Sequence, residues 1–158
     1  SHIYDAIAQG SGFFQHGHTY LGHPVAAAAG LAVMSELLER DLVTRVRQRG
    51  AYLETALRQR FGQHPHVGDI RGRGLFWGLE FVEERDGKTP FDPSLGLAAK
   101  LKKAAFAEGL ICYPMSGTRD GKQGDHVLLA PPFISEESEL DGALDALERA
   151  ITQVLPAS

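Results

Sequence analysis

Leu75-Phe76-Trp77-Gly78-Leu79-Glu80-Phe81-Val82 is the clearest strand in the chain. Its period of two puts Leu75, Trp77, Leu79 and Phe81 on one face and Phe76, Gly78, Glu80 and Val82 on the other. Just upstream, Arg71-Gly72-Arg73-Gly74 reads as a flexible hinge, with His66 to Asp69 as a short strand before it. Further back, Leu42, Val43, Val46, Gly50, Leu53, Leu57 and Phe61 recur at spacings of three and four. That pattern predicts a helix from about Leu42 to Phe61, with Asp41 as N-cap and Gly62 and Pro65 ending it. Arg45, Arg47, Arg49, Arg58 and Arg60 form its solvated face. A preceding helix is expected from Pro24 to about Glu39, with Leu31, Met34, Leu37 and Leu38 for burial. Ile3, Tyr4, Ala6 and Ile7 allow one helical turn before Gly10-Ser11-Gly12 breaks it.

Downstream of the strand, Glu84-Arg85-Asp86-Gly87-Lys88 is an exposed turn with a favoured Asp-Gly step. Ser94 is expected to cap a helix from about Leu95 to Glu108, with Leu97, Leu101, Ala104 and Ala105 inward. Leu110 to Tyr113 reads as a short buried strand, and Pro114 to Asp125 as a long glycine-rich loop of functional length. Val127 to Ala130 is a last strand, stopped by Pro131-Pro132. Ser135 is expected to cap a final helix to about Val154, with Leu140, Leu144, Leu147, Ile151 and Leu155 inward. Short strands with helices between them predict an α+β layer fold, a small sheet covered by helices mainly on one face. The first 40 or so residues fit that core poorly and read as the edge of another domain plus a connecting helix.

Bulk properties narrow the function classes. The 158 residues suit one domain, and 43% hydrophobic with 23% charged residues is a globular balance. The net charge of −4 comes with both signs interspersed, and no basic patch suggests nucleic acid. No apolar run approaches the roughly 20 residues that span a bilayer. The single Cys112 excludes an internal disulfide and fits a reducing cytoplasm. The chain opens on Ser1-His2-Ile3 without a Met, and the expectation is a piece of a longer protein.

A complete catalytic set is not visible. His16, His18 and His23 have spacings that zinc ligands can have, but no paired cysteines and no nearby acidic fourth ligand accompany them, so no metal is expected. A serine nucleophile lacks its G-x-S-x-G elbow. Cys112 sits in an apolar run and reads as packing. Glu80 reads as either a buried acid or, more simply, a surface or ion-paired one.

One loop carries ligand chemistry. His16-Gly17-His18-Thr19-Tyr20-Leu21-Gly22-His23-Pro24 runs straight into Val25-Ala26-Ala27-Ala28-Ala29. Pro24 suits the first helical position and the alanines propagate a helix. Such a helix start offers free N–H groups and a partial positive charge to an anion such as phosphate. Thr19 adds a hydroxyl, and Gly17 and Gly22 let the backbone approach closely. The bland alternative is an ordinary loop that caps a helix and binds nothing.

These residues carry a family resemblance. Gly17-His18-Thr19-Tyr20-Leu21-Gly22-His23-Pro24 followed by small residues resembles the G-x-T-(Phe/Tyr)-x-G-H-P segment of class III pyridoxal-phosphate aminotransferases, the omega-transaminase group. Asp69-Ile70-Arg71-Gly72-Arg73-Gly74-Leu75 with Gly78 and Glu80 is similar to that group's strand entry. The likeness continues in Glu108-Gly109-Leu110 and from Gly124-Asp125-His126 through Pro131-Pro132.

The resemblance implies the small C-terminal domain of a fold-type-I enzyme, with a short, mainly antiparallel sheet. Residues 1–41 would be the end of the large cofactor-bearing domain and 42–158 the small domain. It implies pyridoxal 5'-phosphate as cofactor, a homodimer, and transfer of an amino group from an amine or amino acid to a 2-oxo acid such as pyruvate. The family's Schiff-base lysine and pyridinium aspartate would lie upstream, so the chain alone is expected to be inactive. Thr19, assisted by a backbone amide at His18 or Thr19, would hold the phosphate of the neighbouring subunit's cofactor, and Tyr20 and His18 would line the pocket. Where several relatives carry a carboxylate-binding arginine, this chain has Ile111-Cys112-Tyr113-Pro114 followed by an insertion, Met115 to Gln123. Arg119 within it is the candidate replacement, with a plain solvated arginine as the alternative. A non-catalytic anion-binding or dimerisation module is the second reading of the whole chain, and a decarboxylase or racemase on the same scaffold a third.

Overall fold

The computed structural model describes residues Ser1–Leu155, which divide into two compact units, Ser1–Arg40 and a second from Asp41 onward. The first unit holds α1 (His2–Gln9) and α2 (Pro24–Glu39). α1 is two turns rather than one, because the Ser1 hydroxyl accepts from the Tyr4 N–H and caps it. α2 has the expected bounds, with Pro24 at its first position. No side chain in this unit is buried. Leu31, Met34 and Leu38, expected to bury, are exposed, and only Leu37 and Ile7 are half-covered.

The second unit begins with α3 (Leu42–Phe61), followed by strands β1 (Val67–Arg73) and β2 (Phe76–Phe81). Then come α4 (Leu97–Ala107), β3 (Tyr113–Ser116), β4 (Asp125–Leu129) and α5 (Glu137–Val154). The sheet has the order β1-β2-β4-β3, and every neighbouring pair is antiparallel. β2 and β3 therefore run the same way with β4 between them, and the connection that carries α4 joins them. Leu53, Leu57 and Phe61 from α3, Leu101 and Ala105 from α4, and Leu140, Leu144, Leu147 and Ile151 from α5 form one core with Trp77, Leu79, Phe81, Val127 and Leu129. The fold is thus the expected α+β arrangement, helices packed on one face of a small antiparallel sheet.

Several local expectations are corrected. Arg71 to Arg73 is strand, not hinge: Arg71 pairs with Gly78 and Arg73 with Phe76, so the pairing runs up to a tight turn at Gly74 and Leu75. Asp41 lies in the left-handed region with φ of 45°, not the extended conformation an N-cap side chain needs, and makes no cap bond. Asp92 rather than Ser94 caps the next segment: its carboxylate accepts the Ser94 N–H at 2.8 Å in a short 3₁₀ turn, Pro93–Leu95. Gly96, with φ of 59°, then resets the backbone so that α4 begins at Leu97. The third strand falls later than expected, starting at Tyr113. Val127 sits opposite Pro114, and this register makes β3 and β4 a hairpin out of the predicted loop. Ser135 is buried; the N-cap of α5 is instead Glu136, whose N–H donates to the Glu139 carboxylate at 2.9 Å in a capping box. The arginine face of α3 is not simply solvated. Arg45 and Arg49 pair with Glu136 and Glu137, and Arg60 with Asp145, so the α3–α5 seam carries an ion-pair row.

Candidate functional site

The first unit presents the loop from Gly10 to His23 at the opening of α2. Two overlapping turns shape it: Leu21 N–H donates to the His18 carbonyl and His23 N–H to the Tyr20 carbonyl, each at 3.0 Å. Gly22, with φ of 74°, supplies the left-handed step that the second turn requires. His23 caps α2: its Nδ1 accepts the Ala26 N–H at 3.2 Å, and its ring meets Tyr20 edge-on at 5.8 Å. Thr19 lies within these turns, exposed, and its hydroxyl has no partner among the described residues. From Ala6 to Ser35 the chain contains no Asp, Glu, Lys or Arg. No carboxylate in this stretch therefore opposes an anion, and the helix start, the Thr19 hydroxyl and imidazole side chains are what a phosphate would meet.

Thr19, His18 and Tyr20 are thus brought together in one turn of the first unit. Arg119 belongs to the second unit, near the tip of the β3–β4 hairpin. There Arg119 N–H donates to the Gln123 carbonyl at 2.9 Å, and Asp120 holds the Lys122 and Gln123 N–H groups. The Arg119 side chain is exposed, and no described residue accepts a hydrogen bond from it.

The sheet contributes a feature that the sequence reading missed. On the face away from the helices, Asp69, Glu80, His126 and Met115 line up across the four strands, and Arg71, Gly78, Leu128 and Tyr113 form the next row. Arg71 Nη1 donates to Asp69 at 2.9 Å and to Glu80 at 2.7 Å. The Arg71 contact holds the Asp69 carboxyl below its ordinary range. Burial lowers His126, whose Nδ1 is enclosed without a partner among the described residues. Beside them is a hollow of about 330 Å³ lined by Arg71, Gly72, Phe76, Gly78, His126 and Leu128. The signal was present as the spacing of Asp69 and Arg71, two residues apart, but it needed the strand to extend through Arg71. Trp77 and Phe76, adjacent on β2, separate: Trp77 is core at 3% exposure and Phe76 is 58% exposed beside this hollow. Cys112 is half-buried, and burial alone pushes its thiol up, as expected of a packing residue. No group of three metal-ligating side chains lies together among the described residues, and no described helix is long and apolar enough to cross a membrane.

Comparison with known proteins agrees with the geometry. The family model for class-III aminotransferases matches residues 1–151. An aminotransferase of Gibberella zeae is 42% identical over 152 residues, covering 96% of this chain and 30% of the relative. The (S)-enantioselective omega-transaminase of Thermomicrobium roseum superposes with a TM-score of 0.87 at 31% identity, covering 99% of this chain and 33% of that one. A pyridoxal-phosphate-bound aminotransferase mutant from Vibrio fluvialis superposes with a TM-score of 0.84 at 32% identity, covering 98% of this chain and 32% of that one. The chain spans about a third of the length of the curated relatives it matches. Taken with the α+β fold and the loop that opens α2, these matches establish that the chain belongs to the class-III aminotransferase family.

Proposed function

We propose that this chain is the C-terminal part of a pyridoxal-phosphate-dependent aminotransferase, which moves an amino group from an amine or amino acid to a 2-oxo acid. Residues 1–41 would close the cofactor-bearing domain and 42–158 form the small domain, in a cytoplasmic homodimer. The observation that carries the reading is the Thr19 corner: an exposed hydroxyl without a partner among the described residues, beside a helix start, in a stretch without acidic side chains. Those residues fit a phosphate ester. Thr19 donates its hydroxyl to a phosphate oxygen of the partner subunit's cofactor, and a backbone N–H at His18 or Thr19 adds a second donor. Tyr20 and His18 line the same pocket, and Arg119 meets the carboxylate of the acid substrate. When bound, the cofactor supplies an electron sink for charge that develops on the carbon bearing the amine. The lysine that attaches it is assigned to the part of the protein upstream of Ser1, so residues 1–158 alone should transfer nothing.

The test uses the full-length protein with pyridoxal phosphate. An amine donor and pyruvate should give alanine, with the cofactor absorbance cycling between two forms. Cofactor binding without amino transfer from any donor would overturn the reading.

A further inference from the structure

We propose that the hollow between α5 and the end of β4 binds a small organic cation, an N–H-bearing ammonium or amidinium group on an apolar body. The hollow holds about 320 Å³, a size in the range of small-molecule sites. Its floor is the core itself: Leu53 of α3, Leu129 of β4, and Leu140 and Leu144 of α5, all buried. That floor takes the body of the ligand. Ser135 supplies a polar group on the wall. It is 6% exposed, and its own N–H is spent on the Pro132 carbonyl at 3.0 Å. Its hydroxyl makes no hydrogen bond among the described residues, yet it is not sealed off: His126 Nδ1 is the one fully enclosed side-chain polar atom without a partner among them. Buried hydroxyls are ordinarily paired, so one left open on the wall of a hollow is a place for a ligand's polar atom.

Glu139 sets the charge of the ligand. Its Oε2 accepts the Glu136 N–H at 2.9 Å, which fixes the carboxylate, and no described group donates to Oε1. The acidic neighbours are already matched: Arg45 and Arg49 pair with Glu136, and Arg49 also with Glu137. Glu139 makes no ion pair among the described residues, and no Lys, Arg or His lines the hollow. Pro131 and Pro132, which do line it, carry no backbone N–H. The first-turn N–H groups of Glu137 and Ser138 lie outside the lining, so the start of α5 offers an anion nothing here. A fixed carboxylate and an open hydroxyl over an apolar floor are complementary to a cation that donates hydrogen bonds, and they repel an acid.

The experiment titrates benzamidine, a cation that cannot serve as an amino donor, and its uncharged analogue benzamide into the full-length, cofactor-loaded protein by calorimetry. Wild type should bind benzamidine roughly tenfold more tightly than benzamide, the worth of a charge-assisted hydrogen bond. Glu139→Gln keeps an acceptor for the Glu136 N–H, so the start of α5 is retained. It should weaken benzamidine roughly tenfold and leave benzamide unchanged. Ser135→Ala should weaken benzamidine a few-fold, on the order of one neutral hydrogen bond. Ala143→Leu narrows the hollow and should weaken both compounds. Wild-type protein that does not bind benzamidine overturns the proposal, as does benzamidine binding that Glu139→Gln and Ala143→Leu both leave unchanged. Equal loss of benzamidine and benzamide in Glu139→Gln overturns it too, because damage to α5 rather than a lost charge would then explain the change.

Discussion

Gly50 of α3 lies against Gly74 of the β1–β2 turn so closely that a Cβ on Gly50 would fall 2.6 Å from the Gly74 Cα. Helix and turn meet backbone to backbone, and Gly74, with φ of 58°, needs glycine in its own right. Trp77 fixes the same turn by donating its indole N–H to the Gly74 carbonyl at 2.7 Å. Gly50→Ala should therefore destabilise the protein. Overpacking of this kind costs about 1–3 kcal/mol, more than the roughly 1 kcal/mol alanine gains over glycine in a helix. Denaturant midpoints of the full-length protein check this, and an unchanged or raised midpoint would refute the close contact.

The alternation of β2 makes a paired prediction. Leu79 is fully buried and Phe76 is mostly exposed on the opposite face. Leu79→Ala should cost about 2–5 kcal/mol, whereas Phe76→Ala should stay within about 0.5 kcal/mol, as exposed substitutions do. Similar losses at both positions would mean that the two faces are not distinguished in this way.

Asp125 gives stability a pH dependence. It is buried, and burial raises its carboxyl above the ordinary range, only partly countered by the Ala98 N–H and by His126. The folded state thus holds this proton at a pH where the unfolded chain has lost it. Its contribution is most favourable below the unfolded carboxylate pKa of about 3.9 and is lost as pH rises through the higher folded value. Asp125→Asn removes that loss, so the variant's stability relative to wild type should grow from acid to neutral pH. A difference that stays constant across this range would contradict the assignment.

The architecture was legible where side-chain period and burial coincide. The stripe from Leu42 to Phe61, apart from the exposed Val43, and the alternation from Leu75 to Phe81 read correctly, because packing against one core reinforces each pattern. The reading failed where another element decides. Gly72 and Gly74 suggested a hinge, but pairing with β2 holds Arg71 to Arg73 extended. The β3–β4 hairpin was obscured because Pro114 and Gly117 resemble loop residues until β4 supplies their register. The cap at Glu136 escaped because Ser135 is the commoner capping type, although here it is buried. Of the site, the Thr19 loop was visible as a local motif, whereas the Arg71 cluster exists only once Asp69, Glu80 and His126 share a sheet face.

Thr19→Ala should weaken retention of pyridoxal phosphate in the full-length protein by about 1.5–3 kcal/mol, the worth of a hydrogen bond to a charged group. Thr19→Ser keeps the hydroxyl and should restore most of it. Equilibrium dialysis against the free cofactor measures both. Equal retention in wild type and the alanine variant would remove Thr19 from the phosphate site.

Arg119→Ala tests a cation that no neighbour anchors. Arg119 sits near a hairpin tip whose backbone is fixed by Asp120, but no described residue orients its guanidinium. Gripping a carboxylate therefore means immobilising a long free side chain, at about 0.5–1.5 kcal/mol of ordering cost. The substitution should raise the KM for acidic acceptors only a few-fold, with the effect fading at high salt as expected for an exposed charge. The KM for an aldehyde acceptor should not change. A rise of equal size for acid and aldehyde would point to distortion of the hairpin, and no rise for either would make Arg119 a surface residue.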